Sequence, residues 1–233
     1  MEMTYDIKSL TRVGHQLGST WGGTFAAPDG IEYYVKTPLS SLHRQNEILA
    51  SLLYELAEVP AVKMRHGDDG TLEGKLFSQI ISGTVLADTS LTPQIKKQIQ
   101  DAFVIDAWLA NWDVIGLAED NIVIDSEGTP FRIDVGGALL FRALGGEKGN
   151  AFSYKVSELD TLRDPARNQR SSRFFGDMTE DDLKASASKL LKIFPQDIDE
   201  LVDSAFDGDV ALHLKTTLKA RRDYILQRFN LLS

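Results

Sequence analysis

The chain contains no cysteine among its 233 residues. The absence of thiols excludes disulfide bonds, thiolate zinc sites and cysteine nucleophiles. Histidine is also scarce, and the four positions have no paired metal-ligand spacing: His15, His43, His66 and His213. We therefore expect solvated surface histidines and not a histidine-bound metal. No Gly-x-Ser-x-Gly sequence is present, which argues against an acyl-transfer nucleophile of that kind.

Long apolar runs are missing as well. No stretch approaches the roughly 18 apolar residues that a bilayer span needs, and residues 1–10 lack the apolar segment of a signal peptide. We accordingly expect a cytoplasmic protein, with delivery into a host cell left as an alternative. Positive charge is outnumbered, because 25 Lys and Arg oppose 34 Asp and Glu for a net charge of −9. Nucleic-acid coating depends on clustered cations, so this balance argues against a nucleic-acid partner.

The remaining composition is that of an ordinary globular chain. Hydrophobic residues make up 42% and charged residues 25%, which is enough apolar material for one large domain or two small lobes. The pattern changes along the chain, from short β-rich runs and glycine turns to nearly continuous helix after Met178. We predict an α+β fold with two lobes: a small β-rich lobe with one helix (residues 1–84) and a mainly helical lobe with a hairpin (residues 85–233).

Local patterns place the elements. Strands are predicted at 24–27, 31–37 and 76–81, a hairpin at 121–125 and 131–135, and helices at 41–58, 93–111, 196–206 and 210–229. A further helix is predicted to begin at Thr179, whose hydroxyl would cap acidic first-turn residues. The arginine-rich segment from Arg167 to Arg173 is interpreted as a solvated loop, with a segment ordered by phosphorylation or a substrate-docking strip as alternatives.

A glycine-rich segment precedes the first of these strands. Gly18 and Gly22 flank Ser19 and Thr20, and such a segment lets backbone N–H groups approach an anion closely. By itself it is more often a turn, and it matches neither the Walker pattern nor the dinucleotide fingerprint.

A lysine and a glutamate follow, one in a predicted strand and the other in the next predicted helix. Lys36 lies in the strand Tyr33-Tyr-Val-Lys, and Glu47 lies beside the apolar stripe of the next helix, where its carboxylate would face inward. Kinase-type enzymes hold a strand lysine against nucleotide phosphates with a helix glutamate. The alternative is a pair of solvated surface residues, which is the commoner situation for either one alone.

The most informative group lies around the hairpin. Asp113 follows a helix, Asn121 opens one strand, and Asp134 ends the other strand before two glycines. Hard oxygen ligands of this kind suit Mg²⁺, which takes one or two protein oxygens together with phosphate and water. Asp and Asn residues near Gly are also common in turns. Their position in the chain after Lys36 and Glu47 favours a functional site over ordinary turns.

Four segments together carry a resemblance to a known family. They are Leu17-Gly-Ser-Thr-Trp-Gly-Gly, Tyr33-Tyr-Val-Lys-Thr-Pro, Asn46-Glu-Ile-Leu-Ala-Ser-Leu-Leu-Tyr and Asn111-Trp-Asp…Asp120-Asn…Ile133-Asp-Val-Gly-Gly-Ala. These segments resemble atypical kinases of the HipA-like and phosphoinositide-kinase-like branch of the protein-kinase superfold, and kinase-like segments of bacterial and phage proteins. The resemblance covers roughly residues 13–175.

The resemblance implies a bilobal, ATP- and Mg²⁺-dependent kinase that acts on Ser or Thr of a protein substrate. It assigns the phosphates to Gly18, Ser19, Thr20, Gly22 and Lys36, with Glu47 positioning the lysine. It assigns the adenine-contacting hinge to the backbone of Phe77, Gln79 and Ile80. Asp113 would orient the acceptor hydroxyl, and Asn121 and Asp134 would hold Mg²⁺.

The catalytic loop departs from the family pattern. Asp113 precedes Asn121 by eight residues, and no His-Arg-Asp sequence is present. Asp120 is the competing base, although neighbouring strand side chains point in different directions. Asp106 is interpreted as a structural hydrogen-bonding group. Two other functions stay open: a pseudokinase-type binding module, and a kinase-fold enzyme that transfers AMP or glutamate. The oligomeric state is left open.

Overall fold

The small lobe is organised around one mixed sheet. The computed structural model describes residues 5–16, 21–70 and 74–232. The sheet has the order β1-β5-β6-β4-β3-β2, with β1 parallel to β5 and the other neighbours antiparallel. Within the described residues its strands are β1 (Tyr5–Asp6), β2 (Thr11–Arg12), β3 (Gly22–Ala26), β4 (Glu32–Lys36), β5 (Arg65–Asp68) and β6 (Lys75–Gln79).

Helix α1 (Ser41–Leu56) is the long helix of the described part of this lobe. The Ser40 hydroxyl caps it by accepting the N–H of His43, and Leu49 and Leu53 of its apolar stripe are fully buried. The helix packs against β5 and against a helix of the other lobe, α7 (Pro195–Ala205). The helix predicted at 41–58 is therefore confirmed, two residues shorter at its end.

The larger lobe is mainly helical and contains the predicted hairpin. Its strands form the antiparallel sheet β7-β8-β9, made of β7 (Gly83–Val85), β8 (Ile122–Asp125) and β9 (Pro130–Arg132). Its helices are α2 (Pro93–Gln100), α3 (Phe103–Trp108), α4 (Glu158–Thr161), α5 (Gln169–Phe175), α6 (Glu180–Ala187), α7 (Pro195–Ala205) and α8 (Gly208–Arg228). The α+β, two-lobed architecture is confirmed. The division between residues 84 and 85 stays a prediction, and β7 spans it.

Two expectations about helices were wrong. The single helix predicted at 93–111 is broken between α2 and α3, because Ser186 of α6 inserts its hydroxyl there. That hydroxyl accepts the N–H of Val104 (3.0 Å) and donates to the carbonyl of Asp101 (3.0 Å), which replaces bonds of a continuous helix. The arginine-rich segment is helix α5 and not a loop, since Asn168 caps it by accepting the N–H of Ser171.

The two lobes share one hydrophobic core, which runs from α1 and β6 through α3 to α8. At Thr179 the predicted cap is present, since Thr179 and Asp182 exchange the bonds of a capping box at the start of α6. Within the described chain, no helix is both long and apolar enough to cross a membrane.

A buried polar network joins the lobes inside this core. Asp106 of α3 is fully buried and accepts two bonds from the guanidinium of Arg132, at 3.1 and 2.7 Å. Tyr54 of α1 donates its hydroxyl to the same carboxylate (2.9 Å) and accepts a bond from Asn111 (3.0 Å). Burial, together with the Asp106 carboxylate, raises the pKa of Tyr54, so the phenol stays protonated and can donate. The structural role expected for Asp106 is confirmed.

We predict that Asp106→Ala lowers the free energy of unfolding by about 3–5 kcal/mol, because it leaves the Arg132 charge buried without its partner. Urea denaturation with matched slopes measures the change. Glu55→Ala, which breaks the exposed pair between Glu55 and Lys63, serves as the control and should cost less than about 1 kcal/mol. Equal losses in the two variants would contradict a special role for the buried pair.

Candidate active site

The strand lysine and the helix glutamate meet as a buried ion pair. Lys36 ends β4 with its side chain only 10% exposed, and its ammonium contacts Glu47 Oε1 on α1. The same ammonium lies 3.6 Å from Oδ1 of Asp134. Two elements of the small lobe thus converge on a residue that follows the hairpin of the large lobe. The solvated alternative for Lys36 and Glu47 is excluded.

The charge state of Lys36 follows from this arrangement. Burial alone would lower the pKa of the ammonium, but the carboxylates of Glu47 and then Asp134 outweigh burial and raise the pKa above its ordinary value. Lys36 is therefore a cation at physiological pH. It is also the positive group nearest the open carboxylate of Asp134, whose side chain is 54% exposed.

A short loop after α3 presents Asp113. Asn121 donates its amide N–H to the Asp113 carbonyl oxygen (2.6 Å) and to Asp113 Oδ2 (3.2 Å), while Asn111 accepts the Asp113 N–H (3.3 Å). Gly116 turns the loop at φ +81°, and a Cβ there would lie 2.4 Å from Asp120 Oδ1 and 2.9 Å from Asn121 Cγ. A glycine is required at this turn both for its left-handed backbone and for the space.

The two candidate bases occupy different surroundings. Asp113 is half-buried and held by the two asparagines, whereas Asp120 is exposed. Burial raises the pKa of Asp113, the bond from Asn121 opposes that rise, and the negative charges of Asp134 and Asp120 add to it. Asp134 and Asp120 therefore lie close enough to Asp113 to influence its pKa. Of the two candidate bases, Asp113 is the one whose orientation is fixed by hydrogen bonds.

The hairpin brings Asn121 and Asp134 to the same end. Ile133 donates its N–H to the Asn121 carbonyl (3.0 Å), so Asp134 is the next residue beyond the last bond between the strands. Gly136 donates its N–H to Asp134 Oδ1 (3.3 Å), and a Cβ on Gly136 would lie 3.2 Å from Glu47 Oε2. A side chain at Gly136 would therefore crowd the Glu47 carboxylate of α1.

The oxygens at this end fit a hard cation. Asn121 donates its amide N–H to Asp113, so the amide oxygen of Asn121 faces away from Asp113. The Asp134 carboxylate is half exposed. Among the described residues no three His, Cys, Asp or Glu side chains are grouped closely enough to hold a metal alone. A cation here would need further oxygens from a ligand and from water, as Mg²⁺ commonly does.

The glycine-rich segment is only partly described. Gly18, Ser19 and Thr20 lie outside the described residues. Gly22 opens β3 directly opposite Lys36, and a Cβ at Gly22 would lie 2.6 Å from the Val35 carbonyl oxygen. Close strand packing therefore explains this glycine, and its contact with phosphates stays a prediction.

The predicted hinge lies at the end of β6. Phe77 is buried in the sheet, and Ile80 donates its N–H to the Glu32 carbonyl (3.0 Å), so that amide is not free for a ligand. Because antiparallel bonding alternates, the N–H and C=O of Gln79 face away from β4. On that side β5 pairs no further than Phe77. Of the three hinge residues, Gln79 is the one whose backbone faces an open edge.

Sequence reasoning missed a set of side chains that fix the segment after Asp134. Asn46 of α1, which is 1% exposed, donates to the Ala138 carbonyl (3.1 Å) and accepts the N–H of Leu140 (3.0 Å). Asn46 precedes Leu49 and Ala50 by three and four residues, so its place on the apolar face of α1 was a usable signal. His43 stacks on Phe141 with ring centroids 3.8 Å apart, which makes the surface-histidine expectation wrong at this position.

Lys148, which lies within the segment after Asp134, also holds the backbone of that segment. Its ammonium donates to the carbonyls of Gly137, Leu139 and Phe141 and lies 5.1 Å from the centre of the Trp112 ring. Burial lowers the pKa of Lys148 to about 7, although nearby Glu158 opposes the shift. The ammonium has one N–H for each of the three carbonyls, whereas the neutral amine has two, so deprotonation would remove one of these bonds. No local sequence pattern marks this lysine.

Comparison with known proteins shows the fold. No protein-family model matches the chain, and no curated protein sequence matches it. Solved structures do match: one is the crystal structure of a Helicobacter pylori proinflammatory kinase, CtkA, with a TM-score of 0.64, 15% identity and 99% of each chain covered. The chain therefore has a bilobal kinase-like fold along nearly its whole length. Membership of the HipA-like branch finds no support in these comparisons.

We predict that Asn46→Ala speeds hydrogen exchange of the Leu140 amide by roughly tenfold or more, because the buried acceptor of that N–H is lost. Hydrogen–deuterium exchange of peptides spanning residues 137–148 measures the effect. Gln45→Ala, one residue earlier in the same helix and half-buried, is the matched control and should leave that exchange unchanged. Unchanged exchange in both variants would show that Asn46 does not hold this segment.

Proposed function

We propose that the chain is an ATP- and Mg²⁺-dependent phosphotransferase that acts on Ser or Thr hydroxyls of a protein substrate. One observation carries the proposal: the buried Lys36–Glu47 pair lies 3.6 Å from Asp134, at the hairpin end that also holds Asn121 and Asp113. The groups that would bind phosphate, hold a cation and accept a hydroxyl proton thus lie close together where the two lobes meet. The kinase-like fold supports the same function.

Each residue has a role that its surroundings allow. The Lys36 ammonium would bind phosphate oxygens, and Glu47 would keep it in place. The segment Gly18, Ser19, Thr20 and Gly22 would cover the phosphates from β3.

The nucleotide and the metal would bind on either side of these phosphates. The Gln79 backbone would receive adenine at the open edge of β6. Asn121 and Asp134 would supply oxygens to Mg²⁺, which neutralises charge on the transferring phosphoryl group when it is bound.

Asp113 is the proposed base. It would accept the proton of the acceptor hydroxyl while the new O–P bond forms and the bond between the β- and γ-phosphates breaks, which releases ADP. Catalysis would depend on positioning and charge neutralisation more than on covalent chemistry. The fixed orientation of Asp113 between Asn111 and Asn121 supports it over the exposed Asp120.

Alternatives with the same fold differ in the group that is transferred. The neighbouring structure is described as a kinase, which favours phosphoryl transfer over the transfer of AMP or glutamate. A pseudokinase-type binding module would bind nucleotide without turnover. The complete set of Lys36, Glu47, Asn121 and Asp134 argues against it, because binding of a partner does not require all four groups.

We predict that the protein incorporates label from γ-labelled ATP with Mg²⁺, into itself or into protein substrates of a lysate. Asp134→Ala should reduce labelling by at least about a hundredfold, since it removes a charged ligand of the metal. Asp113→Asn should do so as well, and Asp120→Asn should be much milder. Glu127→Ala, exposed in the turn at the other end of the hairpin, is the control and should keep full activity.

The outcomes separate the alternatives. Label from the α-phosphate alone would indicate AMP transfer, and a nucleotide-dependent rise in melting temperature without any labelling would indicate a pseudokinase. Equal labelling by the wild type and Asp134→Ala would refute the proposed metal site. Loss of labelling in Asp120→Asn but not in Asp113→Asn would identify Asp120, and not Asp113, as the base.

A further inference from the structure

A groove extends from Asp113 across the large lobe, away from Lys36 and Glu47. A cavity of about 300 Å³ is lined by Asp113 together with Trp112, Arg167, Asn168 and Arg170. A second cavity of about 460 Å³ shares Trp112, Arg167 and Asn168 and continues toward Lys155. The two cavities therefore form one depression, and the proposed base lies at one end of it. We call this depression the acceptor groove.

The wall of the acceptor groove is positively charged in a chain whose net charge is −9. Arg167 and Arg170 are both exposed, and Arg170 interacts electrostatically with Asp113. Arg167 makes a long contact with Asp164, at 3.8 Å. Within the described parts of the chain, Arg170 has no carboxylate within ion-pair distance. Arg173 of the same helix differs, because it pairs with Glu119.

The floor of the groove is rigid. The Trp112 indole donates its N–H to Glu158 (2.8 Å), and Arg142 lies 5.3 Å above its ring. An aromatic surface bordered by two exposed arginines suits an extended peptide that carries negative charges more than a neutral or basic one.

We propose that the acceptor groove binds a protein segment whose Ser or Thr lies at Asp113 and whose neighbouring residues include Asp or Glu, held by Arg167 and Arg170. This inference rests on the proposed function and specifies its substrate class. The competing interpretation is that the two arginines bind nucleotide phosphates from the far side of Asp113. The two interpretations differ in which ligand loses affinity when the arginines are changed.

The test measures binding first, without nucleotide. Two fluorescent serine peptides of equal length are compared by anisotropy, one with Asp and Glu around the serine and one with Asn and Gln at those positions. The wild type should bind the acidic peptide about tenfold more tightly, as expected for two partly exposed ion pairs. Added salt should reduce this preference.

Variants with matched changes of charge test whether the preference for the acidic peptide arises in the acceptor groove. Arg170→Glu and Arg167→Glu should each remove most of the preference, and Arg170→Lys should retain part of it. Arg173→Glu changes the net charge equally on the same helix and should keep the preference. No preference in the wild type, or an equal loss in Arg173→Glu, would overturn the proposal. Weaker ATP binding in Arg170→Glu with no change in peptide binding would overturn it in favour of the nucleotide interpretation.

Phosphorylation of the same peptides is measured in a separate assay with γ-labelled ATP. Transfer without discrimination between the peptides would leave the phosphotransferase function standing and refute the acidic-substrate inference. Peptide discrimination without any transfer would refute the proposed function, and it would refute the acceptor role of the groove with it.

Discussion

The buried bonds of Asp106 tie together the segments that carry Glu47, Asp113 and Asp134. Asp106 binds Tyr54 and Arg132 directly and Asn111 through Tyr54, and each of these three residues lies at a short, regular spacing from a site residue. Tyr54 follows Glu47 by two turns of α1, Arg132 precedes Asp134 by two residues, and Asn111, which joins the network through Tyr54, precedes Asp113 by two. Because a buried charge without a partner is costly, the arrangement with all of these bonds formed is strongly favoured.

Helix α1 connects Lys36, the proposed phosphate-binding residue, with the segment after Asp134, the proposed metal ligand. Two consecutive residues do this: Glu47 contacts Lys36, and Asn46 holds the backbone of Ala138 and Leu140 after Asp134. Since both residues belong to one rigid helix, any displacement of α1 that separated Glu47 from Lys36 would also strain the bonds of Asn46. Lys148 holds the same segment from the other side through carbonyl oxygens. Side chains of the chain itself thus hold the segment after Asp134 from both sides.

Local chemistry was enough to predict the strands β3, β4, β6, β8 and β9, helix α1, the cap at Thr179 and the meeting of Lys36 with Glu47. Each of these depends on periodicity, turn residues or a familiar spacing within a short stretch of chain. The short strands β1, β2, β5 and β7 were not predicted, and helix α5 was missed although its cap at Asn168 is local. The other failures involve distant partners. The break between α2 and α3 is caused by Ser186, and the placement of His43 depends on Phe141. The carbonyls that surround Lys148 are gathered by a loop and not by a pattern, so no sequence window contains the information.

The C-terminal helices, which lie beyond the resemblance over residues 13–175, support the start of the loop that presents Asp113. Arg221 of α8 is fully buried and donates to the carbonyls of Ala107 and Trp108, the last residues of α3, and to the carboxylate of Glu158. Carbonyls at a helix end lack partners within the helix and are costly to bury unpaired, so this guanidinium allows α3 to end inside the protein. Glu158 in turn balances the charge and orients Trp112 beside Asp113. The position of the proposed base therefore depends on residues far along the chain, which fits a structural similarity that extends over 99% of it and not over the motif-bearing part alone.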